Sequence, residues 1–212
     1  ALGEIQGEIP IATDTFSKPS KEKIIHQAFK SHSSGNLSEA AKFYQYFIDQ
    51  GFSDPRVFSN YGALCREKGL ITKAIKLYQK SILLYPNEAD AFFNLGTILV
   101  YQGKLEDAEL YIVKSIQINP NFSKAYFILS QITSINRNIN LQNQLFSKTI
   151  LNGKTKEELI NLYFARSNIL HKQKQYTESA KYLKLANDIK LDNKKSNAYE
   201  RIKKSKLLLS ES

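Results

Sequence analysis

The chain has 212 residues, of which 42% are hydrophobic and 24% charged, and a formal net charge of +10. This composition supplies enough apolar side chains for a folded core and excludes a wholly disordered chain. The single cysteine, Cys65, excludes an internal disulfide and a cysteine metal cluster, and it favours a reducing, cytoplasmic setting. The sequence has no run of 18 apolar residues, so we expect no insertion into a membrane.

Residues 1–20 are polar and contain Pro10 and Pro19. They precede the repeated part of the sequence, and we expect a partly flexible leader. The acids Glu4 and Glu8 stand where a secretory signal would have a basic segment followed by an apolar run. The sequence therefore argues against such a signal.

From residue 21 to residue 122 the sequence matches itself when it is shifted by 34 residues. Such a period is typical of a helical repeat array, and it divides this segment into three units, 21–54, 55–88 and 89–122. The alternative is an ordinary helical bundle that happens to match itself. The recurring residues are small or helix-ending ones: Gly35, Gly69 and Gly103; Ala40, Ala74 and Ala108; Pro86 and Pro120.

Each unit has the pattern of two amphipathic helices, which is clearest in the third. Phe92, Leu95 and Leu99 are spaced three and four apart and therefore share one helix face. Gly96 is small where the second helix must approach, and Gly103 ends the first helix in the left-handed conformation that favours glycine. The second helix would contribute the small Ala108 and the apolar residues Leu110, Ile112, Ile116 and Ile118.

This pattern resembles the tetratricopeptide repeat (TPR), in which an aromatic residue, Leu-Gly, a later Ala and a final Pro recur every 34 residues. The third unit carries it as Phe92, Leu95-Gly96, Ala108 and Pro120. The resemblance implies an all-α fold, a right-handed α-α superhelix of about five helical hairpins plus a C-terminal capping helix.

The fourth unit, 123–155, begins in phase and then departs from the repeat. Ala125 and Tyr126 match earlier units, but the polar run Asn136–Asn140 interrupts the pattern. We expect a helix to resume over about 140–151.

A fifth TPR-like hairpin is predicted over 156–193. Thr155 and Glu158 have the spacing of a capping box at its start. A separate basic helix is expected over 194–212. The second helix of the hairpin, about 177–190, would use as its apolar face Ala180, Leu183, Ala186 and Ile189.

The repeats followed by an irregular unit also resemble the N-terminal TPR arms of bacterial TPR-sulfotransferase proteins. The phrases 163–167 (Tyr-Phe-Ala-Arg-Ser) and 175–180 (Gln-Tyr-Thr-Glu-Ser-Ala) carry this second resemblance. It implies a substrate-presenting arm of a sulfotransferase-type enzyme. The phosphosulfate-binding loop of that family, a Pro-Arg-Ser-Gly-Thr type turn, does not occur in these 212 residues, so the catalytic domain would lie elsewhere.

The sequence contains no motif that predicts catalysis. It lacks a glycine-rich phosphate-binding loop and a His-Glu-x-x-His motif. His26 and His32 are six residues apart, which is not the one-face helix spacing of a zinc pair, although both side chains would border the groove described next. Cys65 lies among packing positions with no histidine nearby. We therefore predict a protein that is not an enzyme and that binds no cofactor or metal.

In a solenoid of helical hairpins, the first helix of each unit lines the concave wall. We expect a protein or peptide ligand to bind in this groove. Phe29 would lie there in the first unit, and Asn60 and Asn94 one repeat apart would contact a peptide backbone. The alternative for the asparagines is a structural bond within the fold. The predicted groove residues are Asn60, Asn94, Arg56, Arg66, Phe93, Tyr101, Lys124 and Phe127.

The basic groove residues favour an acidic ligand or a C-terminal carboxylate. The leading prediction is a non-catalytic scaffold for protein–protein or peptide binding, and the alternative is the sulfotransferase arm. The net charge of +10 would also suit a nucleic acid, but aromatic and basic residues do not alternate in every unit, so we expect no nucleic-acid ligand. The ligand's identity and the oligomeric state stay open.

Overall fold

The computed structural model describes the backbone of residues 19–134 and 137–210 and the side chains of these residues up to residue 194. All regular structure in this part of the chain is helical, as the repeat predicts. Most of the predicted leader lies outside the described residues. Within the described part, no helix combines the length and the apolar character that a bilayer span needs.

The chain forms two compact units, of which the first ends at Asn94 and the second begins at Leu95. In the first unit α1 packs against α2, and α3 against α4. The division falls inside α5. The helices that the first unit contains or begins are α1 (Lys21–Ser33), α2 (Leu37–Asp49), α3 (Pro55–Glu67), α4 (Ile71–Leu84) and α5 (Ala89–Tyr101).

Glycines end the first helix of a repeat, as the sequence predicts. Gly69 and Gly103 both have φ of +74°. The amide of the next residue then bonds back to the helix: Leu70 N donates to Cys65 O at 2.8 Å and Lys104 N to Leu99 O at 3.0 Å. This closure satisfies carbonyls at the helix end and turns the chain into the second helix.

Close helix crossings explain the other recurring small residues. A Cβ atom on Gly62 would lie 2.6 Å from Cε1 of Tyr78, and one on Gly96 would lie 2.8 Å from Cδ1 of Ile112. Both distances are too short for packed carbon atoms, which confirms the prediction for Gly96. The prediction for Leu110 is wrong, because its side chain is exposed.

The second unit continues with helices of less regular length. In it α6 packs against α7, α9 packs against both α7 and α10, and the short α8 contacts α9. These elements are α6 (Leu105–Ile118), α7 (Ser123–Ile132), α8 (Ile139–Phe146), a 3-10 turn (Thr149–Leu151), α9 (Lys156–Lys172) and α10 (Tyr176–Ser210).

A buried acid organises the polar break between α7 and α8. The Glu109 carboxylate accepts hydrogen bonds from Thr133 Oγ1 at 2.7 Å, Arg137 Nη1 at 3.0 Å and Asn138 Nδ2 at 2.6 Å. Asn138 has φ of +57°, in the left-handed region that asparagine tolerates better than most residues. The break is thus a hydrogen-bonded turn, within which Asn136 lies outside the described residues.

The last hairpin begins with the predicted capping box. Glu158 N donates to Thr155 Oγ1 at 3.2 Å, and Thr155 N donates to Glu158 Oε2 at 3.0 Å. The predicted break near residue 194 is absent from the described backbone, since α10 continues to Ser210. No glycine or proline follows Gly153, so nothing in the sequence forces α10 to end.

The buried face of α10 also differs from the predicted one. Of the predicted residues, Ala186 is buried and Ile189 is half-buried, but Ala180 and Leu183 are exposed, and Ser179 is buried in their place. Ser179 is the small residue where α10 crosses α9, and its hydroxyl hydrogen-bonds Ser167 there.

Candidate functional site

A cleft of about 800 Å³ lies in the first unit, between α1 and the N-terminal end of α3. Its wall combines three basic and two acidic side chains with an aromatic ring and an imidazole. Such a mixture of charge and apolar surface suits a polar ligand with a hydrophobic part. The lining residues are Lys21, Glu22, Ile25, His26, Phe29, Lys30, Ser33, Asp54 and Arg56.

Asp54 fixes the guanidinium of Arg56 at this cleft. Its carboxylate caps α3 by accepting from Arg56 N at 2.9 Å. The same carboxylate accepts from Arg56 Nε at 3.0 Å and from Nη2 at 2.9 Å. Asp54 is thereby a helix cap and a bidentate partner at once.

The ring of Phe29 also contacts the guanidinium of Arg56. The guanidinium carbon of Arg56 lies 5.5 Å from the Phe29 ring centroid, within the range of a cation–π contact. The Arg56 side chain is still 63% exposed, whereas that of Asp54 is 10% exposed. The guanidinium is therefore oriented and remains open to a ligand.

The electrostatics of Asp54 agree with this geometry. Burial alone would raise the pKa of its carboxyl, but the hydrogen bonds and charge of Arg56 hold that pKa below its ordinary value. Asp54 is therefore ionised at neutral pH. Lys21 and Lys30 line the same cleft and add positive charge beside Arg56.

Asn60 has a partner inside the fold. Its side chain hydrogen-bonds the hydroxyl of Tyr44, a fully buried residue of the preceding hairpin. His32 Nδ1 lies 2.8 Å from the same hydroxyl. This is the structural bond that the sequence left open as the alternative to peptide binding.

The other residues predicted for the groove fall on both units. Arg66, Phe93 and Asn94 are half-buried in the first unit. In the second unit Tyr101 is exposed. None of these four lines the cleft at α1; the residues predicted at the groove that do line it are Arg56, Phe29 and His26.

Two further predicted residues of the second unit have partners there. Lys124 Nζ lies 3.3 Å from a carboxylate oxygen of Glu157. The Phe127 ring packs on that of Phe164, with centroids 6.0 Å apart. A ligand at Lys124 would have to compete with Glu157 for the ammonium group.

Sequence reasoning missed Lys21, Lys30 and Asp54 as residues of the cleft. The signal for Asp54 was present, since Asp before Pro55 is the pattern of a helix cap followed by the first helical residue. The sequence pattern does not show that the capping residue Asp54 also bonds the side chain of Arg56.

The described residues hold no group of three or more His, Cys, Asp or Glu side chains placed to bind a metal ion. Cys65 is buried, and burial raises the pKa of its thiol. A thiol in that state is a poor nucleophile at neutral pH.

Sequence models of the tetratricopeptide repeat match residues 55–88, 89–122 and 160–193. The chain contains tetratricopeptide repeats. The third match covers most of α9 and the first half of α10. Each position of this last hairpin can therefore be aligned with a position of the earlier units. No protein with a curated function matches the sequence significantly.

Solved structures share the TPR fold at low sequence identity. YrrB, described as a TPR protein with an unusual peptide-binding site, matches with TM-score 0.58 and 17% identity over 86% of this chain and 92% of its own. A crystal structure of MamA matches with TM-score 0.55 and 17% identity over 79% of this chain and 96% of its own. An O-GlcNAc transferase mutant of Thermobaculum terrenum matches with TM-score 0.51 and 15% identity over 71% of this chain and 26% of its own.

Proposed function

We propose that this chain is a non-catalytic TPR scaffold that binds a protein or peptide ligand, with the cleft at α1 receiving an acidic side chain or a C-terminal carboxylate. The observation that carries the proposal is the exposed guanidinium of Arg56, held by Asp54 on one side and Phe29 on the other. The TPR fold supports a role in protein interaction, and YrrB is a TPR protein for which peptide binding is described.

The hydrogen-bonding capacity of Arg56 explains the choice of ligand. A guanidinium has five N–H donors, and Asp54 accepts one hydrogen bond from Nε and one from Nη2. Among the described residues, Nη1 has no hydrogen-bond partner. A ligand carboxylate would bind there, where a planar donor group is already oriented and less side-chain entropy is lost on binding.

Neighbouring residues extend the binding surface in two directions. Lys21 and Lys30 bring the basic side chains of the cleft to three, against the acids Glu22 and Asp54, and this positive excess favours acidic residues beside the carboxylate. Phe29 and Ile25 provide an apolar wall for a neighbouring hydrophobic side chain. The ligand would therefore be an acidic peptide with at least one hydrophobic residue.

Fluorescence polarisation with short labelled peptides tests this function. The panel compares acidic peptides with a free C-terminus, the same peptides amidated, and basic peptides of the same length. Binding of the acidic set is expected, with affinity about tenfold weaker for Arg56→Ala. Arg56→Lys should recover little of the lost affinity for acidic peptides, because an ammonium group lacks the planar, paired N–H donors of a guanidinium.

The matched control is Lys76→Ala, which removes an exposed positive charge from α4 outside the cleft. Its affinity should equal that of the wild type, and thermal melts should show that all variants are folded. The proposal fails if no acidic peptide binds, or if Arg56→Ala and Lys76→Ala have the same effect.

A substrate-presenting arm of a sulfotransferase-type enzyme is the second candidate. It rests on the sequence resemblance and on the fold match to about a quarter of a transferase chain. The coding sequence after Ser212 tests it: a phosphosulfate-binding loop there supports the arm, and a stop codon with no transferase encoded alongside contradicts it.

A further inference from the structure

A second apolar face of α10 lies mostly outside its contact with α9; at its start the Tyr176 ring contacts that of His171 in α9, with ring centroids 5.3 Å apart. α10 packs against α9 through buried or half-buried side chains that include Ser179, Ala186 and Ile189. A different set of side chains on the same helix is exposed. We name this set the outer stripe: Tyr176, Ala180, Leu183, Asn187 and Leu191.

The outer stripe is continuous along the helix. Its members are separated by four, three, four and four residues, so on an ideal helix they fall within about 80° of one another. Three of them are large and apolar, with Tyr176 59%, Leu183 44% and Leu191 55% exposed. From end to end the stripe covers about four turns, or roughly 22 Å. This is the surface that a helix of similar length needs for side-by-side packing.

Positive charges flank the stripe. Lys184 and Lys190 lie beside it on the helix surface, and Lys194 lies in line with it, three residues past Leu191; none of the three has an ion pair within the described part of the chain. Asp188 is the acid on this side of α10, whereas Asp192 pairs with Lys156 at 2.6 Å. The stripe is therefore an apolar strip within a net positive border.

The positive charge around the outer stripe distinguishes between the possible binding partners. A second copy of α10 would place lysines against lysines, and the net charge of +10 adds to that repulsion. A helix with an apolar stripe and acidic flanks would bury the leucines and pair with Lys184, Lys190 and Lys194. We propose that the outer stripe of α10 is a docking surface for an acidic amphipathic helix of a partner protein, separate from the cleft at Arg56.

The probes are two helical peptides of about 20 residues, long enough to cover the stripe. Both carry leucines at helical spacing; one has glutamates beside them and the other lysines. Fluorescence anisotropy with the full chain should show binding of the glutamate peptide, weakening as salt is raised, and much weaker binding of the lysine peptide.

Leu185 gives a matched control, because it is as exposed as Leu183, at 44%, but lies outside the outer stripe. The Leu183→Ser, Leu191→Ser double variant should bind the glutamate peptide about tenfold more weakly or worse. The Lys184→Glu, Lys194→Glu double variant should also weaken binding about tenfold. Leu185→Ser and Arg56→Ala should both bind as the wild type does.

Three outcomes overturn the proposal. Equal binding of both peptides would show an unspecific apolar surface. A loss with Leu185→Ser as large as that with Leu183→Ser, Leu191→Ser would show that the stripe is not the site. A concentration-dependent dimer in sedimentation velocity that the same double variant abolishes would show that a second copy occupies the stripe. Because Arg56→Ala separates the two surfaces, either one can fail without the other.

Discussion

Ser167 in α9 and Ser179 in α10 hydrogen-bond to each other where the two helices cross. Their hydroxyl oxygens lie 3.0 Å apart, and each hydroxyl also reaches the main-chain carbonyl of the other serine, at 3.0 and 2.9 Å. Aligned on the matched repeats, they occupy the positions of Gly96 and Ala108. The crossing thus keeps its small residues and adds hydrogen bonds that glycine and alanine cannot make.

Changes at Ser179 should separate the hydrogen bonds from the packing. Ser179→Ala should lower the free energy of unfolding by about 1 kcal/mol, because one hydroxyl is lost and its partner is left buried. Ser179→Leu should cost about 2 kcal/mol or more, because the larger side chain enters a close crossing. Urea denaturation measures both, with Thr177→Ala on the exposed face as the control. A leucine variant as stable as the alanine variant would contradict the close crossing.

Tyr44 and Tyr78 stand one repeat apart, and their hydroxyls differ in hydrogen bonding. That of Tyr44 has His32 and Asn60 as partners, whereas that of Tyr78 is buried with no hydrogen-bond partner within the described residues. Tyr44→Phe should therefore lose about 1 kcal/mol or more of unfolding free energy. Tyr78→Phe should be neutral or stabilising, because it removes a buried unsatisfied hydroxyl. A larger loss for Tyr78→Phe than for Tyr44→Phe would contradict this assignment.

Alkaline pH should destabilise the fold through the same two tyrosines. Burial raises the pKa of Tyr44 and of Tyr78 to about 12, from the model-compound value of 10.0. The folded state therefore holds these protons more tightly than the unfolded state. Their contribution is fully present below pH 10 and is lost as the pH rises toward 12. Urea denaturation at a series of pH values should give a shallower decline for Tyr78→Phe than for the wild type, and equal slopes would contradict the assignment to Tyr78.

Arg166 stabilises the end of α8. It occupies the position of Leu95 in the matched repeats, yet its Nε donates to Leu145 O at 2.9 Å and its Nη2 to Ser147 O at 2.8 Å. Its guanidinium also lies over the ring of Phe146, at 5.6 Å. These contacts satisfy carbonyls that the short helix leaves open.

Replacing Arg166 with leucine restores the residue type of the repeat but leaves those carbonyls without a donor. Arg166→Leu should cost about 2–4 kcal/mol of unfolding free energy, with the largest loss of amide hydrogen-exchange protection over 139–151. Lys148→Leu, an exposed change nearby, is the control. Unchanged protection over 139–151 would show that Arg166 does not hold α8.

Lys174 takes the place of the helix-ending glycine in the last hairpin. It has φ of +62°, close to the +74° of Gly103 at the matched position. A side chain in this conformation costs about 1 kcal/mol, so Lys174→Gly should raise the free energy of unfolding by about that amount. Gly103→Lys is the reciprocal change and should lower it by a similar amount. Effects of the same sign at both positions would contradict the argument.

Much of this fold could be predicted because its determinants are local in the sequence. The glycines that end the first helices of the three regular units and the capping box at Thr155 act within a few residues of backbone, and the period of 34 residues can be read directly from the sequence. A close crossing also leaves a trace, since Gly96 has to be small whichever residue it meets. These features were sufficient to predict helical hairpins and their TPR character.

The tertiary structure decided the points that depend on contacts between distant residues. The sequence of α10 allowed two apolar faces, and the crossing at Ser167 buried the one with Ser179 instead of the one with Leu183. From its position in the repeat, Asn60 is predicted to contact a ligand. The structure shows that its side chain hydrogen-bonds the hydroxyl of Tyr44. Arg56 became the centre of a candidate site because Asp54 and Phe29, from a helix cap and another helix, converge on it. Periodicity shows that a helix has a buried side, but only the packed partner determines which side that is.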